Sequence, residues 1–202
     1  MASDKKNKKK DPEVKLTWQQ TVVVYLHDWI YLLLAVLLAF LLVFRVIVVS
    51  GSSMYDTLWD GDYILLLSNQ FYHEPKAGDI VVISKESFDN GSPIVKRVIA
   101  TEGQKVDIDF NEGIVYVDDV PLEEPYTNDP TSSSWGTIFP LTVEKGHIFV
   151  LGDNRPVSRD SRDPVIGQVD KREVLGEALI LLVPGTSYGE HPRDWNRVGV
   201  VE

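Results

Sequence analysis

One short stretch divides the chain into two parts of different character: Ser50-Gly51-Ser52-Ser53-Met54-Tyr55-Asp56-Thr57-Leu58. It follows a long apolar run and precedes the first segment that has the composition of a β-strand. Its small residues allow a tight backbone bend, and the Ser53 hydroxyl stands beside a large apolar side chain. A serine hydroxyl is a weak nucleophile, so a catalytic role for Ser53 requires a base from elsewhere in the chain.

The segment before this stretch is apolar over 21 residues, from Trp29 to Val49, and only Arg45 interrupts it near one end. A helix that spans a bilayer needs about 20 such residues. A cleaved signal peptide has a shorter apolar core and an A-x-A-like cleavage pattern, and a helix that packs on the core of a soluble domain usually keeps polar residues on one face. We therefore predict a single transmembrane helix over residues 28–49.

The charges at the N terminus predict the orientation of this helix. The first ten residues hold five lysines, and loops rich in lysine stay on the cytoplasmic side. We predict a cytoplasmic basic segment over residues 1–27 and an extracytoplasmic domain over residues 50–202. Ser53 is four residues past Val49, so it lies within about 14 Å of the membrane face at roughly 3.5 Å per residue.

Composition excludes several functions. The net charge is −10, and from Ser50 onward 13 Lys and Arg stand against 26 Asp and Glu. Such an acidic domain argues against nucleic-acid binding, which needs a basic surface. The chain has no cysteine, which excludes disulfides and thiolate chemistry.

Short β-type segments separated by turns fill the rest of the chain. Residues 105–109 and 113–117 flank Phe110-Asn111-Glu112 and predict a hairpin, whereas residues 123–136 are rich in Pro, Ser, Thr and acids and predict a loop. No convincing helical periodicity follows the apolar run. The sequence therefore predicts one mostly-β domain behind the anchor.

Lys96 is the strongest candidate for the base. It lies in Pro93-Ile94-Val95-Lys96-Arg97-Val98, and strand alternation puts the apolar Ile94 and Val98 on its own side. Burial there would lower the pKa of the amine, and a neutral amine near Ser53 can act as a general base. Taken alone, an exposed lysine is the commoner explanation.

A dense polar loop is the third component. It runs from Gly152-Asp153-Asn154-Arg155 to Ser158, Asp160, Ser161 and Arg162. Asp160 and Arg162 can form a fixed ion pair, and Ser158 can hydrogen-bond an amine. The histidines (His27, His73, His147 and His191) show no context typical of a Ser-His-Asp triad, although the sequence leaves such a triad, or a pair of catalytic carboxylates, open.

Together the three stretches resemble the bacterial type I signal peptidases, or leader peptidases, a family of Ser/Lys-dyad serine endopeptidases. Gly51-Ser52-Ser53-Met54-Tyr55-Asp56-Thr57-Leu58 is similar to their G-x-S-M-x-P-T-L, and Ile94-Val95-Lys96-Arg97-Val98-Ile99 to their lysine motif. The polar loop is similar to their G-D-N-R-x-x-S-x-D-S-R. Order and spacing hold from about Val46 to Val183, and the single anchor resembles Gram-positive members.

The resemblance implies a fold and a set of roles. The fold is an N-terminal transmembrane helix followed by an antiparallel β-sheet or barrel-like catalytic domain. Ser53 is the nucleophile and Lys96 the general base, and the Ser53 N–H donates to the oxyanion. Support comes from Ser158, which orients the lysine amine, and from Asp160, Arg162 and Arg97, which hold the loop. Substrate-pocket walls match Met54, Leu58 and Val95, with Val49 and Ile47 as further candidates. No cofactor or metal is implied.

Two positions depart from the family pattern. Gly51 stands where some members have a serine whose hydroxyl is the second oxyanion donor, so its backbone N–H is the candidate here. Asp56 stands where the family usually has proline, which would preset the backbone after the nucleophile.

The expected function is removal of signal peptides from exported preproteins by an enzyme of the cell membrane. Its partners would be signal-peptide-bearing preproteins and the lipid bilayer, with the secretion translocon as a further candidate and no nucleic acid. Two alternatives stay open: a self-cleaving Ser/Lys repressor-like protease, which would have a DNA-binding domain instead of an anchor, and an inactive anchored β-domain that serves as an interaction module.

Overall fold

A computed structural model describes residues 17–186 and 192–201, and among these residues one α-helix, α1, spans Trp18–Val43. A capping box begins it: Thr17 N donates to Gln20 Oε1 at 2.9 Å, and Gln20 N donates to Thr17 Oγ1 at 3.4 Å. By length and composition α1 can cross a membrane, with a mean hydropathy of 2.3. A signal sequence near an N terminus has the same properties.

The predicted bounds of this helix, 28–49, are wrong at both ends. The capping box at Thr17 starts the helix earlier, and its last residue is Val43. Phe44–Val48 form a strand, β1, which pairs with Tyr63–Ser68, or β2. The β-branched residues Val46, Ile47 and Val48 favour a strand, and a count of apolar residues cannot distinguish it from helix. Residues 1–16 of the predicted basic segment lie outside the described residues.

The rest of the described chain forms two antiparallel sheets, so the prediction of a mostly-β domain behind one apolar helix is confirmed. The strands after β2 are β3 Ile80–Ile83, β4 Ile94–Thr101, β5 Lys105–Asp109, β6 Ile114–Val117, β7 Val120–Pro121, β8 Leu141–Thr142, β9 His147–Leu151, β10 Val169–Asp170, β11 Val174–Val183 and β12 Gly199–Val200. The main sheet has the order β1-β2-β11-β3-β4-β9-β10, with β12 paired to β11; the second sheet has the order β7-β6-β5-β8. The predicted hairpin is β5 and β6.

Strand β4 is central to the domain because three apolar clusters meet along it. Val95 belongs to a first cluster and Val98 to a second, while Ile99 belongs to a third that also contains Val106 and Val115 of the small sheet. The strand is hydrogen-bonded on both sides, to β3 and to β9. Any side chain that β4 presents near the nucleophile turn is therefore held on a rigid backbone.

Candidate active site

The turn that carries Ser53 lies between β1 and β2 and is fixed by buried side chains. Met54 and Leu58 are fully buried in the first cluster, and Leu58 N–H donates to the Met54 carbonyl at 2.8 Å. Gly51 takes a positive φ of 94°, a conformation that side chains with a Cβ rarely adopt. These constraints leave Ser53 partly exposed on an anchored turn.

Lys96 reaches this turn from β4. Its side chain is only 2% exposed, and Nζ donates to Ser53 Oγ at 2.7 Å and to the Val95 carbonyl at 2.9 Å. Burial disfavours the charged amine and lowers the pKa of Lys96 to about 8, although the nearby carboxylates of Asp160 and Asp153 oppose the shift. Near neutral pH an appreciable fraction of the amine is therefore unprotonated and within reach of the serine proton.

A buried lysine with a lowered pKa should destabilise the fold. At pH 7 Lys96 is protonated in most folded molecules, and a shift from 10.5 to about 8 costs about 3 kcal/mol at 1.36 kcal/mol per unit. We expect Lys96→Met to raise the free energy of unfolding by about 1–3 kcal/mol, because methionine fills the space without the charge.

Denaturant unfolding as a function of pH checks this expectation. The unfolded chain binds more protons between the two pKa values, so the advantage of Lys96→Met should be full below pH 8 and vanish above about pH 10.5. Lys96→Met that is less stable than wild type at pH 7 would contradict it.

The polar loop after β9 packs directly against the nucleophile turn. Asn154 N–H donates to the Ser53 carbonyl at 3.0 Å, and its side-chain amide donates to the Ser52 carbonyl at 3.0 Å. Gly152 has no room for a side chain, since a Cβ would lie 2.4 Å from the Ser53 carbonyl oxygen and 2.2 Å from Ser158 Oγ. The approach of loop and turn thus requires glycine at this position.

The predicted ion pair between Asp160 and Arg162 is present and completely buried. Arg162 Nη2 donates to Asp160 Oδ2 at 2.8 Å, and Nε donates to Oδ1 at 2.8 Å. The same carboxylate accepts from Gly152 N at 3.0 Å, and Nη2 donates also to the Arg155 and Ser158 carbonyls. The Asp160–Arg162 pair therefore connects the beginning of the loop, at Gly152, with its end, at Arg162.

Arg97 makes a second buried ion pair on the neighbouring position of β4. Its Nε and Nη2 donate to the two Asp153 carboxylate oxygens at 2.9 and 2.8 Å, and its guanidinium lies 3.9 Å from the centre of the Tyr126 ring. Asp153 Oδ2 also accepts from Thr57 Oγ1 at 2.5 Å. Arg97 therefore connects the lysine strand with the loop and, through Asp153, with the turn that holds Ser53.

Two predicted contacts have a different geometry. The Ser158 hydroxyl is buried but makes no hydrogen bond within the described residues, so the expected hydrogen bond to the lysine amine is not formed. Gly51 N–H donates to Asp60 Oδ1 at 2.9 Å, and this contact occupies the expected second oxyanion donor.

Asp56, which replaces the usual proline, accepts a hydrogen bond from the Asn128 side chain and so connects the turn to the loop over residues 123–136.

The five predicted pocket residues lie together around the first cluster. Val49, Met54, Leu58 and Val95 are buried members of it, and Ile47 packs against it while partly exposed. A structural role as the apolar support beneath the turn accounts for this burial, and their contact with a substrate stays a prediction.

Sequence reasoning missed several partners that complete the site. Asp153 and Thr57 lie inside the recognised stretches, but alternation and spacing do not reveal which charge pairs with which. Arg155 donates to Glu124 at 2.8 Å and to Thr131 Oγ1 at 2.6 Å, which holds the loop over residues 123–136. Tyr126 in this loop was the one available signal, because an aromatic residue in a polar loop usually packs against something, and in the structure it is half-buried under the Arg97 guanidinium.

Comparison with known proteins identifies the family. Residues 22–183 match the family described as signal peptidase, peptidase S26. The chain is 35% identical over 169 residues to a probable signal peptidase I-1 of Synechocystis sp., covering 79% of this chain and 83% of that protein. It is 32% identical over 190 residues to signal peptidase I T of Bacillus subtilis, covering 89% of this chain and 91% of that protein.

A solved structure is also similar. The crystal structure of a signal peptidase I from Enterococcus faecalis has 32% sequence identity and a TM-score of 0.42, covering 52% of this chain and 96% of that chain. The family match and the two relatives extend over most of the chain, so the protein belongs to the signal peptidase family, peptidase S26. Membership supports cleavage of signal peptides by a serine endopeptidase.

Proposed function

We propose that this chain is a membrane-anchored endopeptidase that removes signal peptides from exported preproteins, with Ser53 as nucleophile and Lys96 as general base. The observation that carries the proposal is the 2.7 Å contact between Lys96 Nζ and Ser53 Oγ, in which the amine is buried and its pKa is lowered to about 8. Among the described residues no histidine is hydrogen-bonded to Ser53; His191 lies outside them.

The geometry supports a two-step reaction. The neutral Lys96 amine takes the proton of Ser53 Oγ as the oxygen attacks the scissile carbonyl, and the resulting ammonium gives that proton to the leaving amine. A water molecule, activated by the same amine, then hydrolyses the acyl ester on Ser53. The Ser53 backbone N–H makes no other hydrogen bond in the described structure, so it is available to the oxyanion.

The supporting residues have distinct tasks in this proposal. Asp160 and Arg162 fix the loop that packs on the nucleophile turn, and Arg97 fixes β4 against that loop through Asp153. The buried Ser158 hydroxyl makes no hydrogen bond within the described residues, so it can still donate or accept one, and a rotation about its χ1 bond would redirect it. Because these groups hold Ser53 and Lys96 in place, the reaction requires little rearrangement of either side chain.

Incubation of the full chain in detergent with a preprotein tests the proposal. We expect one cut at the end of the signal peptide, identified by sequencing the new N terminus, and no cut by the Ser53→Ala variant. Cutting only of the chain itself would favour the self-cleaving alternative, and cutting of the preprotein at scattered sites would contradict the proposed specificity. Absence of any cleavage by a folded protein would favour an interaction module.

The proposed topology places α1 in the membrane with its N terminus in the cytoplasm and the β-domain outside. The support is the apolar composition of α1 and the five lysines in the first ten residues. Protease added to intact spheroplasts should digest the β-domain and spare a tag fused before residue 1. Protection of the β-domain until the membrane is lysed would overturn this orientation.

A further inference from the structure

The C-terminal segment, residues 192–201, returns to the main sheet beside the nucleophile turn. Strand β2 pairs with β11 over Gly176–Val183, and β3 pairs with the other side of β11 over Val174–Glu177. Strand β12 pairs with Ile180 and Leu181, so it continues the line of β3 along the same side of β11. This segment also lines a cleft of about 600 Å³ to which Asp56 and Thr57 contribute.

Arg197, just before β12, makes direct contact with the nucleophile turn. Its Nη1 and Nη2 donate to the Asp62 carboxylate oxygens at 3.0 and 2.8 Å, and Nη2 lies 3.3 Å from the Thr57 carbonyl, to which it donates. Its guanidinium lies 4.1 Å from the centre of the Trp59 ring. The Arg197 side chain is 15% exposed, so these contacts are largely shielded from water.

The Asp62 carboxylate accepts hydrogen bonds from both backbone and side-chain donors. Its carboxylate is 0% exposed and accepts from Trp59 N at 2.7 Å and from Gly185 N at 2.6 Å, besides the two bonds from Arg197. One carboxylate thus joins the nucleophile turn, the segment after β11 and the C-terminal segment. A buried carboxylate requires such a counter-charge, so loss of Arg197 would disturb all three.

Thr57 lies between two buried Arg–Asp pairs. Its hydroxyl donates to Asp153, the partner of Arg97, and its carbonyl accepts from Arg197, the partner of Asp62. The first pair adjoins Lys96 along β4, and the second is held by the C-terminal segment. The position of the turn relative to the lysine is therefore set from both sides.

We propose that Arg197 is a positioning residue for the reaction: through Thr57 and Trp59 it holds the turn so that Ser53 stays in reach of Lys96. The inference rests on the proposed function of the dyad. Misplacement of a reacting group by about 1 Å can lower a rate about 100-fold without changing the chemistry. Arg197→Ala should accordingly lower kcat for preprotein cleavage about 10- to 100-fold and leave KM within about twofold.

The test compares purified full-length variants. Arg197→Lys keeps the charge but cannot bond both carboxylate oxygens and stack on Trp59, so its kcat should lie between those of Arg197→Ala and wild type. Arg172→Ala is the matched control, since Arg172 also pairs with an aspartate, Asp170, but is exposed; its kcat should be that of wild type. The acid limb of the pH profile should stay near pH 8 in every variant.

Three outcomes would overturn the inference. An unchanged kcat per folded molecule in Arg197→Ala, with folded protein quantified by thermal unfolding, would make the residue dispensable or purely structural. An equal loss in Arg172→Ala would indicate a non-specific charge effect. Amide hydrogen exchange at Tyr55 and Leu58 that is no faster in Arg197→Ala than in wild type would show that the turn does not depend on it. Wild-type protein that fails to cleave would instead remove the proposed function itself.

Discussion

Lys96→Arg should abolish cleavage as completely as Lys96→Ala. Arginine keeps the positive charge, but a guanidinium does not lose its proton in proteins, so the variant has no base for the Ser53 hydroxyl. General-base catalysis typically contributes 10²- to 10⁴-fold, and we expect a loss of about that size in kcat for either substitution.

Preprotein cleavage by purified variants measures this effect, with circular dichroism to confirm that each variant is folded. Lys105→Arg is a matched control, because Lys105 lies on the small sheet and pairs with Asp119 at the surface. Its activity should equal that of wild type. A rate for Lys96→Arg near the wild-type value would make Lys96 structural, and the base would have to be sought among His73, His147 and the carboxylates.

Ser53→Ala should lower cleavage by at least about 10³-fold while the fold survives, because it removes the oxygen that forms the acyl ester. The turn itself depends on Met54, Leu58 and the Ser53 backbone carbonyl, none of which the substitution alters. The melting temperature should therefore change by only a few degrees. The Ser134→Ala variant provides the control, since Ser134 is exposed in the loop over residues 123–136 and makes no side-chain hydrogen bond in the described structure.

Folded Ser53→Ala protein that still cleaves a preprotein at the wild-type position would exclude Ser53 as the nucleophile. Ser52 would then be the nearest alternative, since it is exposed on the same turn. The double variant Ser52→Ala/Ser53→Ala would decide between that serine and a mechanism without a serine nucleophile.

The sequence predicted the class of fold because its strands have regular composition and clear turns. It misplaced the end of the helix, since apart from Arg45 the residues Phe44–Val48 are as apolar as those before them, and Val46, Ile47 and Val48 differ chiefly in being β-branched. Their strand structure depends on pairing with β2, a tertiary contact that no local pattern encodes.

The site was predictable to the extent that chemistry is concentrated in a few residues. Ser53 and Lys96 could be singled out because three short stretches occur together in the order of the signal peptidases, although a serine in a turn and a lysine in a strand are each ordinary when taken alone. The partners of these residues did not stand out: Asp62 and Arg197 are 135 positions apart, and each is ordinary in its own segment. Ion pairs between distant segments depend on the three-dimensional fold, and the acidic composition offers many equivalent candidates for each arginine.

The pH dependence of kcat/KM is the most direct test of the Ser/Lys mechanism. This parameter reports the ionisation of the free enzyme, and the amine must be neutral to accept the serine proton. Because burial lowers the pKa of Lys96 to about 8, we predict that kcat/KM increases with pH with an apparent pKa of about 8. Below that pH the amine is protonated, and kcat/KM should fall. An acid limb at pH 4–5 would indicate a carboxylate base, and one at about 6.5 a histidine; either result would contradict Lys96 as the general base.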